Sequence, residues 1–120
     1  MKPTIFHLAS TSDWQEAKEL GVYTISTRGK TLEEVGFIHC STIEQLPSVA
    51  ALVYKDFDDA LTLLELSVES LEQAGLEVLF EDGGNGEFYP HIYGPLPVEL
   101  VPVIYPVPHV SYLGTLINEI

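Results

Sequence analysis

The stretch GFIHCST (residues 36–42) places an imidazole, His39, beside the only cysteine of the chain, Cys40, at the end of a short apolar run. Three explanations compete for this pair: a metal site, a thiol nucleophile, or a ligand-binding histidine beside a buried structural cysteine. Successive side chains of a β-strand point to opposite faces, so we expect His39 and Cys40 to point apart. This expectation weakens the idea that the two side chains act together.

The residues that follow predict a helix. Ser41 and Glu44 have the Ser-x-x-Glu spacing of a capping box, so a helix is expected to begin directly after the strand and to run towards Tyr54. His39 would then lie where a strand meets a helix N-terminus.

The rest of the chain mixes strands and helices without regular alternation. Apolar runs predict strands at residues 4–9, 60–67, 76–82 and 99–107, and helices are expected at 13–20 and 68–75. No Gly-x-Gly-x-x-Gly motif opens a helix after a strand. The pattern favours an α+β fold with a largely antiparallel sheet.

Composition limits the classes of protein to consider. A chain of 120 residues fits a single domain, and its formal net charge of −13 disfavours general binding to nucleic acids or to anionic membranes. The N-terminus has no signal-peptide pattern, and no apolar stretch approaches the ~20 residues that span a bilayer. One cysteine cannot form an intrachain disulfide. We therefore expect a cytoplasmic protein that is not in a membrane.

Three of the four histidines, His7, His39 and His91, lie in apolar or aromatic segments, each within or near the end of a different predicted strand. A buried imidazole needs partners for both ring nitrogens, and its pKa responds strongly to its surroundings. We expect at least two of the three to share a pocket. A metal site formed by all three is an alternative, although no Cys-x-x-Cys or His-Glu-x-x-His motif is present, and we assign no metal.

Several other residues are candidates for chemistry. Glu87 follows a glycine-rich loop and precedes His91 by four residues, whereas Glu65 lies among leucines, where a buried carboxylate would need a partner. Arg28, close to Lys30, could contact an anionic ligand or be an exposed loop charge. Tyr93 could stack on a planar ligand or fill the core.

Cys40 admits two interpretations. A helix N-terminus lowers the pKa of a thiol, so Cys40 could be a nucleophile, for instance towards glutathione. The alternative is a small buried hydrophobic residue, which is the more common role of a free cysteine.

Four segments, IFHLAS (5–10), GFIHCST (36–42), LLELS (63–67) and GEFYPHIYGPLP (86–97), together resemble the small bacterial proteins grouped as domain-of-unknown-function family 952. The resemblance covers residues 4 to 107. It implies the ADP-ribosyltransferase-like fold, a split and mostly antiparallel sheet with flanking helices that holds NAD in a cleft. It divides the chain into a domain over 1–107 and a tail over 108–120 that packs on the domain or on a partner subunit.

The resemblance also implies roles for individual residues. Enzymes of that fold use one residue from each of three strands, and here His7 matches the first position and His39 the second. Glu87 or His91 would be the third. Residues expected to bind the ligand around them are Arg28, Thr31, Ser41 and Tyr93, where Thr31 keeps the hydroxyl of the serine that is usual in the family.

Two functions follow as expectations. The first is an NAD-dependent enzyme of the ADP-ribosyltransferase type that transfers or cleaves at the N-glycosidic bond of NAD or a related nucleotide, with NAD as substrate. The second is a non-catalytic module that binds a small metabolite or a protein in the same cleft. The absence of a Glu-x-Glu signature and the acidic composition favour the second. The sequence does not determine the oligomeric state.

Overall fold

The computed structural model describes residues 2–120, which form one small α+β domain with ten strands and five α-helices. The strands are β1 (Thr4–Ser10), β2 (Val22–Tyr23), β3 (Ile25–Thr27), β4 (Lys30–Thr31), β5 (Ile38–His39), β6 (Leu61–Ser67), β7 (Glu77–Asp82), β8 (Phe88–Tyr93), β9 (Leu96–Pro97) and β10 (Val103–Val107). The helices are α1 (Thr11–Leu20), α2 (Leu32–Val35), α3 (Leu46–Val53), α4 (Val68–Gln73) and α5 (Leu113–Ile117).

The first sheet has the order β1-β6-β10, with both outer strands antiparallel to β6. The central strand LTLLELS is almost continuously apolar because both of its faces are covered. Leu64 and Leu66 pack into one hydrophobic cluster with α1, whereas Leu61 and Leu63 pack into a second cluster with α3 and α5. Leu113 and Leu116 of α5 belong to this second cluster, which places the C-terminal residues on the first sheet.

The second sheet has the order β5-β8-β7, and again each pairing is antiparallel. It joins the first sheet where the backbone of Phe6 in β1 pairs with Ser41 through two hydrogen bonds of 2.8 Å. Two further two-stranded pairs, β2 with β9 and β3 with β4, lie beside the sheets. The predicted α+β fold with mostly antiparallel sheets and flanking helices is therefore confirmed.

Helix α1 begins and ends as its sequence predicts. The Ser10 hydroxyl accepts a hydrogen bond from the backbone N–H of Asp13, and Gly21 closes the helix with a positive φ of 84°. The boundaries of the predicted strand at 99–107 were too wide, because Val98–Leu100 form a short 3-10 turn and the strand begins at Val103.

The predicted capping box at Ser41 was wrong. Both backbone polar groups of Ser41 bond to Phe6, which keeps Ser41 in the sheet, and helix α3 begins only at Leu46. The Gln45 side chain instead accepts a hydrogen bond from the backbone N–H of Thr42. Within residues 2–120, no helix has the length and apolar character needed to cross a membrane.

Candidate functional site

One face of the second sheet carries a group of aromatic and ionisable side chains. The strand register pairs His39 of β5 with His91 of β8, and cross-strand partners share a face. Alternation along β8 adds Tyr89 and Tyr93 to this face, and Glu81 joins it from β7 opposite Tyr89. The opposite face presents Ile38, Val78 and Ile92 to the first hydrophobic cluster.

A cleft opens over this face and consists of two pockets that meet at His39 and Gly83. The larger pocket has a volume of about 280 Å³ and the smaller about 170 Å³. The larger is lined by Ser26, Thr27, Val35, Phe37, His39, Asp82, Gly83 and His91. The smaller is lined by His39, Ser48, Val49, Leu52, Val53, Gly83, Asn85 and Tyr89.

His91 is held in a fixed orientation inside the larger pocket. Its Nδ1 lies 2.7 Å from Glu81 Oε1, and because a carboxylate only accepts, Nδ1 carries the proton and donates. The Tyr93 hydroxyl donates to the same oxygen. These hydrogen bonds, first that of Tyr93 and then that of His91, lower the pKa of Glu81. Nε2 is the ring nitrogen of His91 that the hydrogen bond to Glu81 does not use.

Two aromatic rings pack against this imidazole. Phe37 stacks on His91 with ring centroids 3.8 Å apart and an interplanar angle of 15°. The His39 ring lies beside His91, with the two ring centroids 5.1 Å apart at an interplanar angle of 58°, and its centroid lies 6.4 Å from that of Phe37. The wall of the larger pocket is therefore a cluster of three rings, in which Phe37 and His91 are stacked and His39 is tilted against both.

His39 lies between the two pockets. Burial, and secondarily the neighbouring His91, lower the pKa of His39, so its imidazole is neutral at pH 7. Its Nδ1 is buried and has no partner within residues 2–120. The hydroxyl of Ser26, which lines the same pocket and is fully buried, also lacks a partner in this part of the chain. Buried polar groups without partners are rare in proteins, and two of the three within residues 2–120 belong to this pocket, the third being Trp14 Nε1.

His7 lies in the core, below the cleft. Its Nδ1 lies 2.7 Å from the backbone oxygen of His39, and its Nε2 lies 2.7 Å from the Tyr23 hydroxyl. The carbonyl can only accept, so Nδ1 donates to it and Nε2 accepts from Tyr23. Burial lowers the pKa of His7 to about 4, which keeps the ring neutral. His7 is 2% exposed and does not line the cleft, but it fixes the backbone of His39.

These contacts argue against a metal site built from His7, His39 and His91. Both ring nitrogens of His7 already bond to protein atoms. No group of three or more histidine, cysteine or acidic residues in the described part of the chain is arranged to hold a metal ion.

Cys40 points away from the cleft. It is 1% exposed and lies in the first hydrophobic cluster, and burial raises the pKa of its thiol. His39 and Cys40 thus point to opposite sides of the strand, as alternation predicts. A buried thiol that resists ionisation is a poor nucleophile, so the structure favours the packing role for Cys40.

The predicted carboxylate Glu87 lies outside the cleft lining. One of its side-chain oxygens lies 3.5 Å from Gln45 Nε2, and its backbone oxygen accepts from Gly83 N–H at the base of the glycine-rich loop. The carboxylates associated with the cleft are instead Glu81, through His91, and Asp82, which lines it. Of the predicted site residues, the structure brings together His39, His91 and Tyr93.

Arg28 lies outside the cleft and is engaged elsewhere. Its Nη1 donates to the backbone oxygen of Val53 at 2.9 Å and to Asp56 Oδ1 at 2.6 Å. Its guanidinium also lies 4.9 Å from the centroid of the Phe57 ring. Arg28 therefore ties the β3–β4 hairpin, which carries Ser26 and Thr27, to the end of helix α3.

Two further predicted ligand-binding residues have structural roles. Thr31 and Glu34 form a capping box at the start of helix α2, and Thr31 does not line the cleft. Ser41 is buried and joins the two sheets through its backbone. Glu65, which was considered for its apolar surroundings, accepts a hydrogen bond from the Tyr105 hydroxyl at 2.9 Å.

The structure adds residues that the sequence analysis did not select. Gly83 lines both pockets, and a Cβ atom there would lie only 2.4 Å from the Tyr89 ring, so glycine allows the chain to pass this aromatic side chain. Phe37 could have been found from strand alternation, because it shares the face of His39. No sequence pattern marks Ser26, because its position at the cleft depends on how the short β3–β4 hairpin pairs.

Comparison with known proteins places these features in a family context. The profile of a family described as "Protein of unknown function (DUF952)" matches residues 8–103. A crystal structure of protein CC0527 from Caulobacter crescentus is similar with a TM-score of 0.72 and 30% identity, covering 93% of this chain and 99% of that one.

The solution NMR structure of the same bacterial protein gives a TM-score of 0.67 and 29% identity, with 85% of this chain and 82% of that one covered. A search of curated proteins found no match.

Proposed function

The chain belongs to the DUF952 family, and from the geometry of its cleft we propose that it binds a small, planar, heteroaromatic molecule. The observation that carries this proposal is the larger pocket, where the rings of Phe37, His39 and His91 form one wall. Planar rings favour planar ligands through offset or edge-to-face stacking. The proposed activity is recognition of a metabolite rather than a chemical reaction.

The polar groups of the pocket suit a heteroaromatic ligand better than a hydrocarbon. The unpartnered Ser26 hydroxyl and the imidazole of His39 can each exchange a hydrogen bond with a ring nitrogen or an amide once small side-chain movements expose them. A buried polar group without a partner costs about 1–3 kcal/mol, so a ligand that supplies the partner recovers part of that free energy.

The volume of the cleft also limits the ligand. A cavity of roughly 150 Å³ accepts benzene, so the pocket of about 280 Å³ holds one substituted ring with room for solvent. A dinucleotide would have to extend past His39 into the smaller pocket. The nicotinamide ring of NAD or of a related nucleotide is the ligand class that the family resemblance favours.

A second candidate is catalysis at the N-glycosidic bond of NAD or a related nucleotide, as in ADP-ribosyltransferase-like enzymes. The observation in its favour is that Asp82 is among the residues that line the cleft, because its carboxylate could stabilise a cationic sugar. In the hydrolytic form, water adds to C1′ of the ribose and gives up one proton to the solvent, the bond from C1′ to nitrogen breaks, and neutral nicotinamide leaves with the bonding electrons. His7 would act here only by positioning His39.

Calorimetric titration with nicotinamide, ADP-ribose and NAD tests the binding proposal. We expect binding of nicotinamide or NAD to wild-type protein and at least about tenfold weaker binding to His39→Ala, because the variant loses one ring of the wall. His109→Ala is the matched control, since His109 is a partly exposed histidine outside the cleft lining. Absence of binding by all three compounds would overturn the proposal.

A chromatographic assay of nicotinamide release from NAD separates the two candidates. The catalytic function predicts release that disappears in Asp82→Asn. If wild-type protein binds NAD but releases no nicotinamide, the catalytic function is excluded and the recognition function stands.

A further inference from the structure

The charge distribution around the larger pocket limits the ligand further. No lysine or arginine is among the residues that line either pocket in the described part of the chain. Asp82 is an acidic residue of the lining, with Oδ1 accepting from the backbone N–H of Gly84, and Glu81 lies one hydrogen bond behind His91. The nearest basic residue along the hairpin, Arg28, already bonds to Asp56 and to a helix carbonyl. The cleft therefore offers an anionic ligand no counter-charge.

The aromatic wall favours positive charge as well. The face of an aromatic ring carries negative electrostatic potential, which attracts a cation within about 6 Å. Tyr93 extends the wall, with its ring centroid 5.5 Å from that of Phe37. His39 does not oppose this attraction, because its lowered pKa keeps it neutral at pH 7. The net charge of −13 adds a long-range field that also attracts cations.

We infer that the cleft selects a planar cation, such as an N-alkylated pyridinium ring, over a neutral ring of the same shape. This inference rests on the proposed function, because it presumes that a planar ligand binds here at all. The positive charge would lie near Asp82 while the ring lies against the cluster of Phe37, His91 and His39. An anionic ligand of the same size would be excluded.

The test uses two probes that differ mainly in charge, nicotinamide and 1-methylnicotinamide. We expect the cationic probe to bind about fivefold more tightly at low ionic strength, as estimated for one carboxylate about 4 Å from the positive charge in a water-like medium. Added salt should reduce this preference, because exposed charges are screened. Binding is measured by calorimetry or by NMR titration of the histidine ring signals.

Two charge-neutralising variants locate the effect. In Asp82→Asn the amide oxygen can still accept the backbone N–H of Gly84, which Asp82 Oδ1 accepts in the wild type, so only the charge is lost. We expect this variant to lose most of the preference for the cation. Asp58→Asn removes the same charge from an exposed residue outside the cleft lining and should retain the preference.

The outcomes distinguish a failure of the charge selection from a failure of the proposed function. If neither probe binds, the proposed function fails and the inference fails with it. If nicotinamide binds as tightly as its methylated form, the cleft is a binding site but the charge selection is wrong. Equal loss of preference in both variants would assign the effect to the net charge of the protein and would overturn the role of Asp82.

Discussion

Protonation of the buried His7 makes the stability of this protein dependent on pH. The folded protein keeps His7 neutral with a pKa of about 4, whereas the unfolded chain has the usual value near 6.5. Between these values the unfolded state binds more protons, so the free energy of unfolding falls as the pH falls. From pH 7 to pH 5 the linkage amounts to about 2 kcal/mol for this one side chain.

The comparison that isolates this effect uses His7→Asn. The asparagine amide can donate to the His39 carbonyl but does not ionise, and it leaves the Tyr23 hydroxyl without its acceptor. We expect the variant to be less stable at pH 7 by about 1–3 kcal/mol. Its stability should then fall by about 2 kcal/mol less than that of the wild type between pH 7 and pH 5.

Urea unfolding followed by fluorescence measures both free energies at each pH. Most of the effect of carboxylate protonation lies below pH 5, so histidines dominate this interval. The reasoning is wrong if wild type and His7→Asn lose stability in parallel. It is also wrong if NMR titration shows the His7 ring of the folded protein taking up its proton near pH 6.5.

Three other perturbations test separate parts of the structure. Gly83→Ala should destabilise the protein by about 1–3 kcal/mol in urea unfolding, because the added Cβ meets the Tyr89 ring at 2.4 Å. The same variant should bind the ligand more weakly, and unchanged stability would contradict this packing. Cys40 should react with iodoacetamide only in denaturant, since burial raises the pKa of its thiol, and mass spectrometry of native protein should show no adduct. Arg28→Ala should leave the melting temperature nearly unchanged but accelerate amide hydrogen exchange in the β3–β4 hairpin, and equal exchange rates would exclude the tethering role.

Local signals predicted the elements whose causes are local. The strand at β6 follows from an almost continuous apolar run, and helix α1 follows from its Ser10 cap and its Gly21 terminus. Ser41 shows where such signals mislead. Its capping spacing is genuine, but the backbone hydrogen bonds to Phe6 are formed by residues distant in sequence, and they hold Ser41 extended.

The candidate site was predictable in part for the same reason. Alternation alone predicts that His39 and Cys40 point to opposite faces. His39 and His91 come together because the pairing of β5 with β8 places them opposite each other. The choice between Glu81 and Glu87 depends on the register of the β7–β8 hairpin, and a loop rich in glycine does not specify that register from sequence. The role of His7 depends on Tyr23, which comes from a strand of two residues.

The position of β6 in the first sheet has a consequence for biosynthesis. Its two partners come from opposite ends of the chain, residues 4–10 and 103–107, so this sheet has large sequence separations between paired strands. Such topologies fold slowly because long loops must close before the contacts form. During translation the apolar strand LTLLELS emerges with one edge unpaired until residues 103–107 have been made. The nascent protein is therefore most prone to aggregation just before its last strand arrives.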